Sequence, residues 1–434
     1  MHVLVLPTEQ YCPDHEPLAG IFQRHQIEAL RATGQDRLGV VSVRMRHSVP
    51  MYLKTLAFRL AGRRLDNELA PIPTRKLPSE VLRRWSDPFA TLCRTELDGV
   101  PVIRSEGLYG TAPHPMSDAI WWQRAGWSGV VEYIERHGRP DLIHAHNALP
   151  AGLLAAKVRR KLGIPYVLSE HSSSYQQNKI PNIWFGALRR AFKQADAVMP
   201  VSAALWETVE AKLGPMGLRP RIVGNVLPPF FAATPPVRRA SMRKPVCVCV
   251  ASLLDIKNHC GLLEAFARLR RRFPDAVLRL LGDGPLRGRL EARAAEPDLF
   301  GSVMFLGVGD QQRVRDEMDA ADLLVFPSHF ETFGVVLIEA MARGRPVVAM
   351  RSGGPAEIVD DVTGRLVDPG DPAALADAIA AILENGNTYD PMQIRARTEA
   401  RWGADAFCGR LREVYSDAVP AGLPREGAFY GASA

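Results

Sequence analysis

Short, largely apolar runs recur along almost the whole chain, and stretches with helical spacing alternate with them through most of it. In the first half these runs are His2-Val-Leu-Val-Leu6, Gly39-Val-Val-Ser-Val43, Pro101-Val-Ile-Arg-Ser105, Asp141-Leu-Ile-His-Ala-His146, Pro165-Tyr-Val-Leu-Ser-Glu-His171, Ala197-Val-Met-Pro-Val-Ser202 and Pro220-Arg-Ile-Val-Gly-Asn-Val226. In the second half they begin at Val246, Val277, Val303, Leu323, Pro346 and Gly364. Continuous β-rich runs separated by amphipathic helices, such as Gly20 to Ala32, Ala151 to Lys161 and His259 to Arg272, predict parallel sheets covered on both faces. The alternation breaks once, at Asn225-Val-Leu-Pro-Pro-Phe-Phe-Ala-Ala-Thr-Pro-Pro236, where prolines withhold ladder donors and disfavour helix. A chain of 434 residues exceeds one ordinary core, so the break is read as a linker between two α/β domains. The expected division is a first domain over 1–225, a linker over 226–244 and a second domain over 245–402. A helix over 403–420, crossing back to the first domain, and a flexible tail over 421–434 complete it. Residues 47 to 100 carry no clear pattern.

Composition narrows the function classes. No apolar run approaches the roughly 18 residues that span a bilayer, and the start lacks the basic flank of a secretion signal before Pro7. A cytoplasmic protein is expected. The six cysteines form no C-x-x-C pair, and Cys247 and Cys249 share one face of an apolar strand, so they read as buried thiols rather than a zinc site. Basic residues outnumber acidic ones 29 to 20 through residue 230, whereas acidic residues lead 27 to 25 beyond it. Runs such as Lys54 to Arg64 and Leu82-Arg-Arg-Trp85 mix cations with apolar residues. They suit peripheral contact with an anionic membrane surface at its inner face, or a phosphorylated acceptor; a solvated basic face is an equal reading. No recognition module accompanies the charge, so a nucleic-acid partner is not expected.

Open parallel sheets bind ligands beyond the carboxyl ends of their strands, which makes polar residues just after strands the candidates for a site. The most informative stretch is Phe326-Pro-Ser-His-Phe-Glu331-Thr-Phe333-Gly334-Val335-Val-Leu-Ile-Glu339-Ala-Met-Ala. A strand ends at Pro327, a loop carries Glu331, and a helix opens near Gly334. The free N–H groups of a helix start favour a diphosphate. Glu339 lies deeper in that helix among Leu337, Ile338 and Met341, so a buried carboxylate there needs a partner. Paired ribose hydroxyls would supply one, while Glu331 meets the sugar beyond the phosphates. A helix-capping acid beside a solvated glutamate is the plainer alternative.

The E-x7-E spacing of Glu331 and Glu339 makes the chain resemble a family 4 retaining glycosyltransferase, of the type found in bacterial polysaccharide assembly. The resemblance implies a GT-B fold: α/β, with two Rossmann-like, doubly wound parallel-sheet domains facing across a cleft. Lys257, in Val250-Ala-Ser-Leu-Leu-Asp-Ile-Lys257-Asn258, matches the family's diphosphate-binding lysine, while Ser252 stands where the family carries arginine. Leu281-Gly282-Asp-Gly284-Pro285 resembles the glycine turn near the nucleotide, and Phe305-Leu306-Gly307 the strand end whose backbone meets the base. Gly20, in Pro17-Leu-Ala-Gly20-Ile-Phe, resembles the glycine loop beneath the donor phosphates. The implied donor set is therefore Gly20, Ser252, Lys257, Gly282, Gly284, Leu306, Phe333, Gly334, Val335 and Glu339. Ser352-Gly-Gly-Pro-Ala-Glu357 is a further turn shaping that pocket.

In the first domain, period two puts His144 and His146 on one face of a strand. The resemblance assigns His146 to the sugar, and His144 reads as packed. His171 and Ser172, after the next strand, are expected on the acceptor side, although core or cap roles suit them too. Catalysis is thus expected from Glu331, His146 and Lys257, without metal or cofactor, the nucleotide sugar being a substrate. No strand end of the first domain offers a nucleophilic carboxylate for double displacement, which favours same-face attack guided by the leaving phosphate. The expected reaction moves a hexose from a UDP- or GDP-linked donor to a saccharide, carried on a lipid diphosphate. The rivals are a sugar-nucleotide epimerase or hydrolase on the same fold, and a two-lobed binding or NAD-dependent protein.

Overall fold

The computed structural model describes residues 1–8, 11, 20–46, 91–108, 115–236, 244–385 and 388–419. The basic runs at 54–64 and 82–85 lie outside these residues. The chain divides into two units: Met1–Met199 with Glu210–Arg221 and Arg412–Ala434, and Pro200–Val209 with Ile222–Leu411.

The first unit holds a seven-stranded sheet in the order β3-β4-β2-β1-β5-β6-β7. Its strands are β1 (His2–Leu6), β2 (Arg37–Arg46), β3 (Thr91–Leu97), β4 (Val100–Leu108), β5 (Leu142–His146), β6 (Tyr166–Glu170) and β7 (Ala197–Pro200). Strands β1, β2, β4, β5 and β6 run parallel, and β3 pairs antiparallel with β4 at the edge. Every residue of β5 and β6 is buried, as expected of central strands of a parallel sheet covered on both faces, and their polar residues lie at or near the carboxyl ends. The second unit holds six parallel strands in the order β10-β9-β8-β11-β12-β13. These are β8 (Val246–Val250), β9 (Val277–Leu281), β10 (Val303–Gly307), β11 (Leu323–Phe326), β12 (Val347–Met350) and β13 (Gly364–Val367). Its core packs Cys247 and Cys249 against Leu262, Phe266, Leu278, Val348 and Ile379. Burial pushes the Cys249 thiol up to about 12, so it stays a protonated, inert packing group.

Two expectations fail locally. Pro220–Val226 forms no strand: Arg221 N–H reaches the Val198 carbonyl at 2.9 Å, but Gly224, left-handed at φ 78°, turns the backbone out of extended form before a ladder develops. The proline-rich segment does contain helix, over Pro229–Ala232, with proline in the first turn, where a missing N–H costs no bond. Arg343, 1 % exposed, fixes this segment. Its guanidinium donates to the carbonyls of Phe231 (3.0 Å), Thr234 (2.7 Å) and Pro235 (3.1 Å) while pairing with Asp319 at 2.8 and 3.0 Å. The last helix, Ala404–Ala418, buries Phe407, Leu411, Val414 and Tyr415, and the hydrophobic spacing of those four residues is what makes its inner face. Among the described residues no helix is long and apolar enough to cross a membrane.

Candidate active site

In each sheet the strand order reverses at one place, and ligand crevices form there. In the second unit that place lies between β8 and β11, whose following loops carry Lys257 and Glu331. The Lys257 ammonium donates to Glu331 Oε2 at 2.5 Å and lies 5.6 Å from the Phe326 ring centroid. Both side chains keep about a fifth of their surface open, 22 % and 19 %, so the pair is reachable by a ligand. The two loops are tied by backbone: His329 N–H donates to the Ile256 carbonyl at 2.9 Å. Asn258 adds a second tie. Its left-handed backbone ends the Lys257 turn, its Oδ1 accepts from Gly261 N–H to cap the helix His259–Leu269, and its Nδ2 donates to the Pro327 carbonyl at 3.2 Å.

The Glu331 loop is held from beneath by the turn after β12. Glu331 N–H donates to the Ser352 carbonyl at 2.9 Å, and Gly354 N–H donates to the Glu331 carbonyl at 3.0 Å. A Cβ on Gly353 would lie 2.6 Å from the Glu331 carbonyl oxygen, and one on Gly354 2.4 Å from Phe333 Cα. Only glycine lets these backbones touch. Gly334, at φ 101°, then starts the helix Val335–Ala342 without any side-chain cap, which leaves its first N–H groups available. Phe333 turns its ring inward, edge-to-face on Trp402 at 5.1 Å, so only its backbone is offered at the loop.

Glu339 projects from the second turn of that helix. Among the described residues nothing donates to its carboxylate, and burial pushes it up to about 8. It nevertheless keeps a partial opening to solvent. An acid in this state is poised for a ligand that brings hydroxyl donors. The other expected donor residues border the same strand ends. Gly282 N–H bonds the Gly307 carbonyl (2.8 Å) and Leu253 N–H bonds the Asp283 carbonyl (3.0 Å), which packs the 282–284 turn on the loop of exposed Ser252. Leu306 occupies a bulge in β10 against β9, with its backbone out of ladder register. Val335 is the first helical residue.

In the first unit the reversal lies between β1 and β5. Thr8, just past β1, donates its hydroxyl to the His146 carbonyl. His144 is packed, bonded to Tyr415 Oη and Ser169 Oγ at 2.7 Å each, and burial pulls its imidazole down to about 3. His146 stacks on it at 4.3 Å, and its Nδ1 meets His171 Nε2 at 3.1 Å. Burial, then the neighbouring imidazoles, hold His146 well below the usual histidine range and hence neutral. His171 therefore lies against His146, and Ser172 serves a turn, its Oγ accepting from Ser174 N–H at 3.2 Å. Gly20 caps the helix Ile21–Ala32 in left-handed backbone.

Three supporting residues escaped the sequence reading. Asn258 was legible as a helix cap immediately after Lys257. Glu170, the last residue of β6, corrects the expectation that no strand end of the first unit offers a carboxylate; both of its oxygens are taken by donors, which makes it a structural acid rather than a nucleophile. It accepts from Ala148 N–H (2.9 Å), His171 N–H (3.0 Å), Ser172 N–H (2.9 Å) and Tyr175 Oη (3.2 Å). Tyr415 carried no local signal, because its partner is 271 positions away.

Two Rossmann-like units with charged and imidazole groups at their reversal points define the GT-B class of glycosyltransferases. Within that class the chain belongs to the family 4 glycosyltransferases. Residues 81–226 match the family described as Glycosyltransferase Family 4, and residues 232–399 the one described as Glycosyl transferases group 1. The chain is 30 % identical over 386 residues to TuaC of Bacillus subtilis (strain 168), named as a teichuronic acid biosynthesis glycosyltransferase, covering 86 % of this chain and 87 % of TuaC. It is 28 % identical over 407 residues to the D-inositol 3-phosphate glycosyltransferase of Corynebacterium urealyticum, covering 87 % and 92 %. Among solved structures, Anabaena HepE in complex with UDP superposes with a TM-score of 0.65 at 18 % identity over 96 % of this chain and all of that one, a likeness of fold. The protein is a group 1 glycosyltransferase acting on nucleotide sugars, an enzyme of class EC 2.4. Relatives named as transferases leave the epimerase or hydrolase alternative unfavoured.

Proposed function

We propose that the protein transfers a hexosyl group from a UDP- or GDP-linked donor to a saccharide hydroxyl, with retention at the anomeric carbon. The observation that carries this reading is the Lys257–Glu331 pair at the second reversal point, beside an uncapped helix start and an unpartnered Glu339. The helix start and the lysine suit the two charges of a diphosphate. As the sugar–oxygen bond breaks, negative charge grows on the leaving phosphate, and Lys257 stabilises it there. Glu331 orients the sugar and supports its oxocarbenium character, and Glu339 accepts from the ribose hydroxyls. His146 hydrogen-bonds the hexose, and no residue acts as a covalent nucleophile. The leaving phosphate takes the acceptor proton on the same face. No metal or organic cofactor is needed for these steps, and Ser252 leaves Lys257 as the side-chain cation of its loop.

For the acceptor, TuaC and the inositol phosphate enzyme are named for anionic glycan or phosphate chemistry. Together with the basic excess through residue 230, they support a lipid-diphosphate-linked saccharide presented at a membrane surface. Thermal shifts with UDP-, GDP- and ADP-sugars identify the donor, since a bound donor raises the unfolding temperature. In a transfer assay Lys257→Ala and Glu331→Ala should each lose roughly 10²–10³-fold in kcat. Wild-type turnover in both excludes the mechanism. Donor hydrolysis without acceptor at the full rate would replace transfer by hydrolysis. Flotation with anionic liposomes at low salt tests the membrane surface; no binding removes it.

A further inference from the structure

Resting on the proposed role of His146, we propose that His171 is a positioning residue: it fixes which way the His146 ring faces, so that Nε2 is the nitrogen presented to the transferred sugar. The His146 ring stacks on His144, 4.3 Å away at 28°, and meets the His171 ring edge to edge, nearly coplanar, with centroids 5.3 Å apart at 20°. Stacking on His144 holds the plane of the ring. It does not hold its flip. Half a turn about the Cβ–Cγ bond preserves that stack while exchanging Nδ1 with one ring carbon and Nε2 with the other. The 3.1 Å contact from His146 Nδ1 to His171 Nε2 is what separates the two flips, because only one of them makes a hydrogen bond. That contact also couples the tautomers of the two rings: a neutral imidazole has one N–H and one lone pair, so whichever nitrogen of the pair donates, the role left to His146 Nε2 is the complement of the role taken by its Nδ1. Among the described residues no group bonds Nε2.

The structure holds His171 as firmly as it holds His146. The His171 N–H donates to Asn147 Oδ1 at 2.9 Å and to Glu170 Oε1 at 3.0 Å, and its ring meets Phe22 at 4.9 Å. Glu170 uses its other oxygen to accept from Ala148 N–H at 2.9 Å. One buried carboxylate therefore locks the strand end that carries His146 to the strand end that carries His171. A residue lining only the acceptor would not need its backbone tied to the neighbouring catalytic loop.

The test compares His171→Phe, which keeps an aromatic ring without nitrogen, with His171→Gln, which keeps a hydrogen-bonding group near the place of Nε2 without the ring. Unfolding temperature checks that each variant is folded. His171→Phe should lower kcat by about 10–100-fold with donor KM changed by less than about threefold, and His171→Gln should recover most of that loss. Histidine-labelled protein should show the His146 Nδ1 ¹⁵N shift displaced by its hydrogen bond, and that displacement lost in His171→Phe. Full kcat in His171→Phe beside a large loss in His146→Ala overturns this inference alone. Wild-type turnover in His146→Ala overturns the role of His146 and this inference with it. A His146 Nδ1 shift that is the same in the wild-type protein and in folded His171→Phe overturns it as well.

Discussion

The two reversal points differ in how they treat charge. Around β1 and β5 the side chains are imidazoles and hydroxyls, with His144 and His146 buried and held neutral, joined by hydrogen bonds from His144 to Tyr415 and Ser169 and from His146 to His171, and backed by the buried Glu170 at the end of β6. Around β8 and β11 they are an ammonium and two carboxyls, left partly open, one of them with no protein partner among the described residues. A hydroxyl both donates and accepts, so imidazole nitrogens and carboxylate oxygens alike suit it. A diphosphate is recognised by cations and helix N–H groups that gain most where charge grows. The first site is therefore stiff and finished before ligand arrives, and the second is held short of satisfaction.

If that contrast is right, disturbing the backbone under the charged site should have the largest effect. Gly354→Ala places a methyl group 2.4 Å from Phe333 Cα, so the Glu331 loop must move. Steady-state transfer should fall roughly 10²-fold; a variant with wild-type kcat would mean the loop position is not critical. Glu339→Gln comes next, and its signature is pH. Burial raises the Glu339 carboxyl from 4.5 to about 8. Between those values the folded chain keeps a proton that the unfolded chain has released, so wild-type stability falls as pH rises through that window. Glu339→Gln removes this decline and should be the more stable protein at pH 9, by about 1–3 kcal/mol in urea unfolding. Nucleotide binding should move oppositely. Ribose hydroxyls donate to the ionised form, so wild-type affinity should rise about tenfold from pH 6 to 9 in calorimetric titrations, while Glu339→Gln binds weakly and without that slope. Equal slopes in the two proteins would remove Glu339 from the ribose. The smallest effect belongs to the neutral site. Tyr415→Phe removes the hydroxyl from buried His144 and should cost about 1–2 kcal/mol of stability with kcat nearly unchanged. A large loss of kcat would show that the imidazole cluster is softer than its hydrogen bonds imply.

Much of this was legible before any folding was considered. The short apolar run Val246–Val250, and the apolar start of Leu142–His146, belong to strands buried on both faces, as short β-rich runs bounded by loops in a covered parallel sheet do. The loop, glycine and helix of Glu331–Glu339 followed from the same local logic. Pro220–Val226 misled because apolar composition does not show the left-handed turn at Gly224 that takes the segment away from β7 after a single bond. Pro229–Ala232 misled because the cost of proline depends on its place within a helix rather than on its presence.

By itself, then, the sequence determined most of the strands and helices and which polar residues stand at their ends, since both depend on neighbours a few positions away; the antiparallel edge strand β3 was not among them. Only the tertiary structure decided the pairings: Lys257 with Glu331 across 74 positions, His144 with Tyr415 across 271, and Arg343 with the carbonyls of the proline-rich segment. These arise because strand order is set by how sheets and helices pack together, and packing brings together atoms that have no local relation in the chain.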